Sequence, residues 1–269
     1  ERSRIGEERF RREHECEFLI FDETLISSLV LADMEGVAPV ETTGQVRWFK
    51  RPTPGHTYLT SLDPSMGTGG DYAAIQVFEL PTFEQVGEWH HNMTPMNQQV
   101  RILQGINKHI HDSIIEKDAS ASPQIFYSME NNTIGEATLM RVMDIGEENI
   151  MGMFLSEPIR KGHRRKFRRG FNTTAKHKID ACTKFKELVE GSKMKINSQL
   201  LISEMKDFVA TGLSYKAKPG QHDDLVSSCL LMTRMMKVLA DFDPKIFEKW
   251  TDRSSEMTTP MPIFGNFYG

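Results

Sequence analysis

Three strand-like segments, "TYLTSLD" (57–63), "DYAAIQVFEL" (71–80) and "FEQVGEWHH" (83–91), succeed one another across turn-rich loops too short to hold a helix. Strands joined this closely pair as antiparallel neighbours, because a parallel return needs a crossover of a dozen residues or more. A three-strand meander is therefore the seed of any fold this chain can adopt. Beyond the meander the period changes. Val100, Leu103, Ile106, Ile110 and Ile114 keep helical spacing and predict a helix over 95–116. "QIFYSME" (124–130) then reads as a buried strand between Pro123 and two asparagines, with Thr133 and Glu136 at capping-box spacing opening another helix.

Further on, the spacing predicts a strand near 150–159, a hairpin or ordered loop over "RKGHRRKFRRGF", and a helix from Thr174 to Glu190. Residues 199–215 read as a helix and then a strand, and a last helix starts near His222 with Leu225, Cys229, Met232, Met236 and Leu239 on its core face. The order β-β-β-α-β-α-β-α describes a mixed α/β domain, three antiparallel strands leading into parallel-type connections. Upstream, residues 1–50 read as a helix, a loop and a second helix, and "RPTPGH" (51–56) as a boundary. The domain is therefore expected over 51–245, with a separate N-terminal segment and a C-terminal tail over 246–269. The chain begins at Glu1, which suggests a portion of something longer.

Composition narrows the class. No run approaches the roughly 18 apolar residues of a membrane span, and no signal-peptide pattern opens the chain. Cys16, Cys182 and Cys229 lie far apart, without metal-ligand spacing, and read as buried thiols of a reducing compartment. The pairs His90-His91 and His109/His111 lack convergent Cys or His partners for zinc. Net charge is only −4, but residues 160–195 hold thirteen Lys/Arg against three Asp/Glu. Such asymmetry points to a polyanion-binding face beside an acidic site.

The acidic side of that asymmetry sits at element ends. Asp63 closes the first strand, Asp71 opens its partner, Glu130 closes the buried strand, and Asp223 and Asp224 lie where the last helix begins. A turn centred on Gly67 would pair Asp63 with Asp71, and like charges facing each other call for a cation between them. An Asp at a turn or helix start can be local chemistry alone. A carboxylate ending an apolar strand has no such use, so Asp63 and Glu130 weigh more. Oxygen-rich clusters of this kind suit hard cations such as Mg²⁺ or Mn²⁺. Brought together without metal, the acids should repel, and some should titrate high.

The ordered set "SLDPSMGTGGDYAAI", "YSMENNTIGEA" and "GQHDDLVSSCLL" resembles the nuclease domain of a tailed-phage terminase large subunit, a ribonuclease H-like fold, over roughly 45–245. "FRREHECEFLIFDETLIS" is similar to the segment closing the ATPase half of such proteins, while "GTGGDY" lacks the Lys-Ser/Thr of a phosphate loop. The resemblance implies a metal-dependent endonuclease cutting concatemeric viral DNA during packaging in the host cytoplasm, using two ions of Mg²⁺ or Mn²⁺. It implies Asp63, Glu130 and Asp224 as catalytic metal ligands, Asp71 as auxiliary and Asp223 as an outer partner of the metal. The family often has a further Asp three residues past the second aspartate; here that position is Ser227. An ATPase portion, a portal and a small terminase subunit are the implied partners, with no membrane.

The basic run supplies the expected DNA-backbone contacts: Arg160, Lys161, Arg164, Arg165, Lys166, Arg168 and Arg169. Nothing in it suggests base readout, so cleavage should be largely independent of sequence. His222 and Asn131 are accessory candidates beside the acids. Two other readings remain open: a different ribonuclease H-like enzyme, such as a junction resolvase or transposase core, and a non-catalytic docking module stabilised by metal.

Overall fold

The computed structural model describes residues 23–158 and 169–242. A seven-stranded sheet in the order β1-β2-β5-β4-β3-β6-β7 forms its centre. The meander is β3 (Thr57–Asp63), β4 (Ala73–Leu80) and β5 (Glu84–His91), antiparallel throughout. On one side β6 (Gln124–Met129) and the two-residue β7 (Met153–Phe154) run parallel to β3. On the other, the hairpin of β1 (Glu41–Thr43) and β2 (Val46–Trp48) extends the sheet through β5. The chain is thus the mixed α/β domain expected from its sequence, three antiparallel strands leading into parallel ones.

Among the described residues six helices cover the sheet: α1 (Ser28–Asp33), α2 (Met96–Lys117), α3 (Thr133–Ile145), α4 (Ala175–Glu190), α5 (Gln199–Asp207) and α6 (Asp224–Phe242). Side chains alternate across each strand, and that alternation divides the core. Tyr58 and Leu62 of β3, with Ile75 and Val77 of β4, pack against Val100, Leu103 and Ile110 of α2. Leu59 of β3 and Phe78 of β4 face the opposite way, onto Phe185 of α4 and Leu225, Cys229 and Met232 of α6. Asp63 falls in the same alternation as Leu59 and Ser61, which aims it at α6. Ser61 confirms the direction, its Oγ bonding the Ser228 carbonyl at 2.9 Å and the Ser228 hydroxyl at 2.8 Å.

Four local expectations are corrected. Residues 41–48 form a hairpin on the sheet rather than loop or helix, and Leu25, Ile26 and Leu31 join the core. The cap of α3 is Asn132, one residue before Thr133, its Oδ1 accepting from the amides of Ile134 and Gly135. The strand near 150–159 shrinks to two residues. After α5, a two-stranded sheet of β8 (Phe208–Thr211) and β9 (Ser214–Ala217) stands apart from the main one.

Candidate active site

The parallel pairing of β3 with β6 sets Leu62 beside Met129, and the ladder continues one step, the Glu130 amide donating to the Leu62 carbonyl at 3.1 Å. Asp63 and Glu130 are therefore neighbours on adjacent strand ends, on the face that α6 covers. Their carboxyls lie side by side, close enough for the Glu130 charge to act on Asp63. Burial pushes the Asp63 carboxyl well above its ordinary range, the Glu130 carboxyl beside it pushes it further, and Asp224 and Asp223 add to the effect. The predicted mutual repulsion of the acids is present.

The adjacent aspartates have different surroundings. Asp224 opens α6, its Oδ2 accepting from the Tyr72 amide at 3.3 Å with His222 Nδ1 at 3.7 Å. Burial raises it to about 6; the charges of Asp223 and Asp71 contribute, while Tyr72 N–H and His222 pull the other way. Asp223 is tied elsewhere: its Oδ2 accepts from the Ala217 amide of β9 at 3.2 Å, with Lys178 Nζ at 3.8 Å.

Asp71 does not pair with Asp63, whose partner across the ladder is Ala74. The connecting loop is not a tight turn: Gly67 (φ +68°) lies so close to the start of α2 that a Cβ there would be 2.1 Å from the Thr94 carbonyl oxygen. Asp71 ends up exposed, near enough to Asp224 to raise it.

Asn131 is buried, with its Nδ2 donating to the Arg169 carbonyl and its amide to the Phe171 carbonyl, both at 2.7 Å. It holds the end of the basic run against the Glu130 strand. Arg169 itself pairs with Glu147. Arg160, Lys161, Arg164, Arg165, Lys166 and Arg168 lie outside the described residues. His222 is half exposed and packs edge-on against the Tyr72 ring, centroids 4.8 Å apart.

A cleft of about 150 Å³ opens onto Asp63 and Glu130, lined also by Ser227, His177, Lys178 and Arg234. It is smaller than the roughly 300–1,000 Å³ of small-molecule sites, a notch suited to a phosphate group. Lys178 and Arg234 escaped the sequence reading. Lys178 sits one helical turn before Cys182 on the buried stripe of α4, where a cation is out of pattern. Glu204 was missed too, although it interrupts the apolar stripe Leu201, Ile202 and Met205 of α5. Burial raises its carboxyl to about 9, the backbone amides of Val226 and Leu225 opposing.

With the side chains as placed, no three His, Cys, Asp or Glu groups among the described residues close around one point. The donor set is nevertheless that of a hard cation: carboxylate oxygens from three elements, crowded enough to push Asp63 well above its ordinary range. A divalent ion would relieve that repulsion.

Residues 60–235 match the family model described as the terminase RNaseH-like domain. Among solved structures, the large terminase nuclease of thermophilic phage G20c with bound magnesium is 18% identical, covering 80% of this chain and 97% of that one at a TM-score of 0.58. The large terminase nuclease domain of Thermus phage P74-26 is 18% identical over 75% of this chain and 92% of its own, TM-score 0.53. The human cytomegalovirus terminase nuclease domain, manganese-soaked with an inhibitor bound, is 12% identical over 84% and 98%, TM-score 0.50. At these identities the likeness establishes the fold.

Proposed function

This chain belongs to the terminase RNaseH-like domain family, and on that premise we propose that it is a divalent-cation-dependent endonuclease that hydrolyses DNA. One observation carries the reading: the β3–β6 register sets Asp63 beside Glu130, and the first turn of α6 brings Asp224 within electrostatic reach of the pair. Asp63, Glu130 and Asp224 would hold the cations, two ions of magnesium or manganese, with Asp223 and Asp71 completing the negative field. The magnesium-bound G20c nuclease and the manganese-soaked cytomegalovirus domain support that choice of ion. Such ions supply charge neutralisation on the phosphate and a hydroxide-like nucleophile near neutral pH.

The chain's own groups do the rest. In hydrolysis the water oxygen bonds to phosphorus as the bond to the 3′ oxygen breaks, leaving a 5′ phosphate and a 3′ hydroxyl. Lys178, in the cleft beside the acids, offsets phosphate charge next to the reacting group. Arg169 and the other basic residues of 160–169 would grip the flanking backbone, which carries no sequence information. Asn131 anchors that run next to Glu130. Asp223, tethered to β9, orients the first turn of α6.

The same reading makes concatemeric viral DNA the substrate in the host cytoplasm. It assigns an ATPase portion, whose closing segment the start of this chain resembles, a portal and a small terminase subunit as partners. The experiment is supercoiled-plasmid digestion with Mg²⁺ or Mn²⁺ against an EDTA control. Asp63→Ala and Glu130→Ala should each lose at least about a hundredfold in rate. If either cuts like the wild type, the site assignment is wrong.

A further inference from the structure

Glu204 and His90 lie outside the proposed set of ligands, yet each touches a support of Asp224. Glu204 projects from α5 into the core and is 9% exposed. Its Oε2 accepts from the Val226 amide at 3.1 Å, in the first turn of α6. The first amides of a helix have no partner within it, so a carboxyl from a neighbouring helix fixes where that turn sits. Asp224 rides on the turn.

His90, at the end of β5, reaches Asp224 from the other side. Its ring stacks on Tyr72, centroids 4.0 Å apart and planes 15° from parallel. The Tyr72 amide is the group that donates to Asp224 Oδ2. Between the two residues, Glu204 Oε1 and His90 Nε2 face each other across 3.6 Å, both buried and without a hydrogen-bond partner among the described residues. Packing alone does not explain a glutamate here. The stripe on which it lies is otherwise Leu201, Ile202 and Met205, and a buried polar group costs stability unless its contacts are needed.

We propose that Glu204 and His90 are positioning residues for the metal centre, holding Asp224 from two sides: Glu204 through the amides of α6, His90 through the Tyr72 ring. The inference rests on the reading of Asp224 as a cation ligand, and its test separates the two. Mn²⁺ is titrated into each purified variant, following the midpoint of thermal stabilisation alongside plasmid nicking. Glu204→Leu should raise the Mn²⁺ midpoint about tenfold or more, with the nicking rate recovering toward wild type at saturating Mn²⁺. Glu204→Gln keeps an oxygen for the Val226 amide and should hold the wild-type midpoint. His90→Ala should raise the midpoint, and His90→Phe, which can still stack on Tyr72, should restore it.

A folded Glu204→Leu protein with the wild-type midpoint overturns the proposal, as does Glu204→Gln impaired as badly as the leucine variant. If Glu204→Leu does not fold, the His90 pair decides: wild-type midpoints in both refute it. Asp224→Ala is the control on the premise. Wild-type nicking or Mn²⁺ response there removes Asp224 as a ligand; their loss, with unmoved Glu204 and His90 variants, removes only the positioning role.

Discussion

Replacing Asp224 with asparagine should make the metal-free protein more stable while destroying its activity. The Asp224 carboxyl titrates at about 6 instead of 3.8, with its side chain 15% exposed. At about 1.4 kcal/mol per pH unit, ionising it in the folded state costs on the order of 3 kcal/mol. The folded chain keeps a proton that the unfolded chain releases above about pH 4. Stability without metal therefore falls as pH rises from about 4 to about 6, and Asp63, also held well above its ordinary range, adds to the fall. Asp224→Asn removes the charge and leaves an oxygen for the Tyr72 amide. In EDTA at pH 7.5 its melting temperature should exceed wild type by up to about 10 °C, at roughly 2–4 °C per kcal/mol for a domain of this size. At pH 4 the two should converge. Adding Mn²⁺ should reverse the order, since a ligand at a thousand times its Kd stabilises by about 4.1 kcal/mol and the variant has lost a proposed ligand. Differential scanning fluorimetry from pH 4 to 8, with and without Mn²⁺, measures all of this. A variant no more stable than wild type at pH 7.5 in EDTA refutes the electrostatic reasoning.

Gly135→Ala should cost about 1–3 kcal/mol and most of the activity, because a Cβ there would lie 1.9 Å from the Glu130 carbonyl oxygen; thermal melts and plasmid nicking check it, and a wild-type nicking rate would show that Glu130 is not held by this contact. Ser227→Asp places a third carboxylate in the cleft beside Asp63 and Glu130; it should lower the Mn²⁺ midpoint and reduce stability in EDTA, both read from one fluorimetric titration. Lys178→Met keeps the length of the side chain and removes its charge; DNA binding should weaken uniformly across sequences, with the salt slope of log K smaller by about 1, measured by fluorescence anisotropy.

The sequence carried the sheet's centre because three strands on short loops have few ways to pair. It also carried the Asp63–Glu130 corner, since two strands separated by a helix and each ending in an acid meet at those ends when parallel. The pairing of Asp63 with Asp71 failed for a reason outside local pattern. The loop folds back on the start of α2, with the Gly69 amide bonded to the Asn92 carbonyl at 2.9 Å, so the strands separate before Asp71. The β1–β2 hairpin was invisible because strands of three residues show almost no alternation; what holds it is tertiary, Trp48 lying flat over Gly87, where a Cβ would be 2.8 Å from the indole. Glu204 and Lys178 stood out only as charges on apolar stripes. A stripe reveals that such a residue is buried, not what it meets.

The adjacency of Asp223 and Asp224 is resolved by what each one touches. A helix N-terminus favours negative charge by about 0.3–1 kcal/mol when exposed, too little to hold two carboxylates beside Asp63 and Glu130. The structure separates their duties. Asp223 is engaged by the Ala217 amide and Lys178, both from outside α6, and so ties the small β8–β9 sheet to the site. Among the described residues Asp224 keeps only an amide and a distant imidazole, leaving an oxygen free to face a cation. The opposite charge needed to draw a polyanion to so negative a place is anchored one hydrogen-bonded step away. Asn131, the neighbour of Glu130, grips the backbone at Arg169, and the Phe171 amide bonds the Met129 carbonyl at 3.1 Å. The crowded acids and the Arg169 end of the basic run are thus fixed to the same strand end. On the proposed reading, delivery of a phosphate and its activation would both be organised by one short ladder.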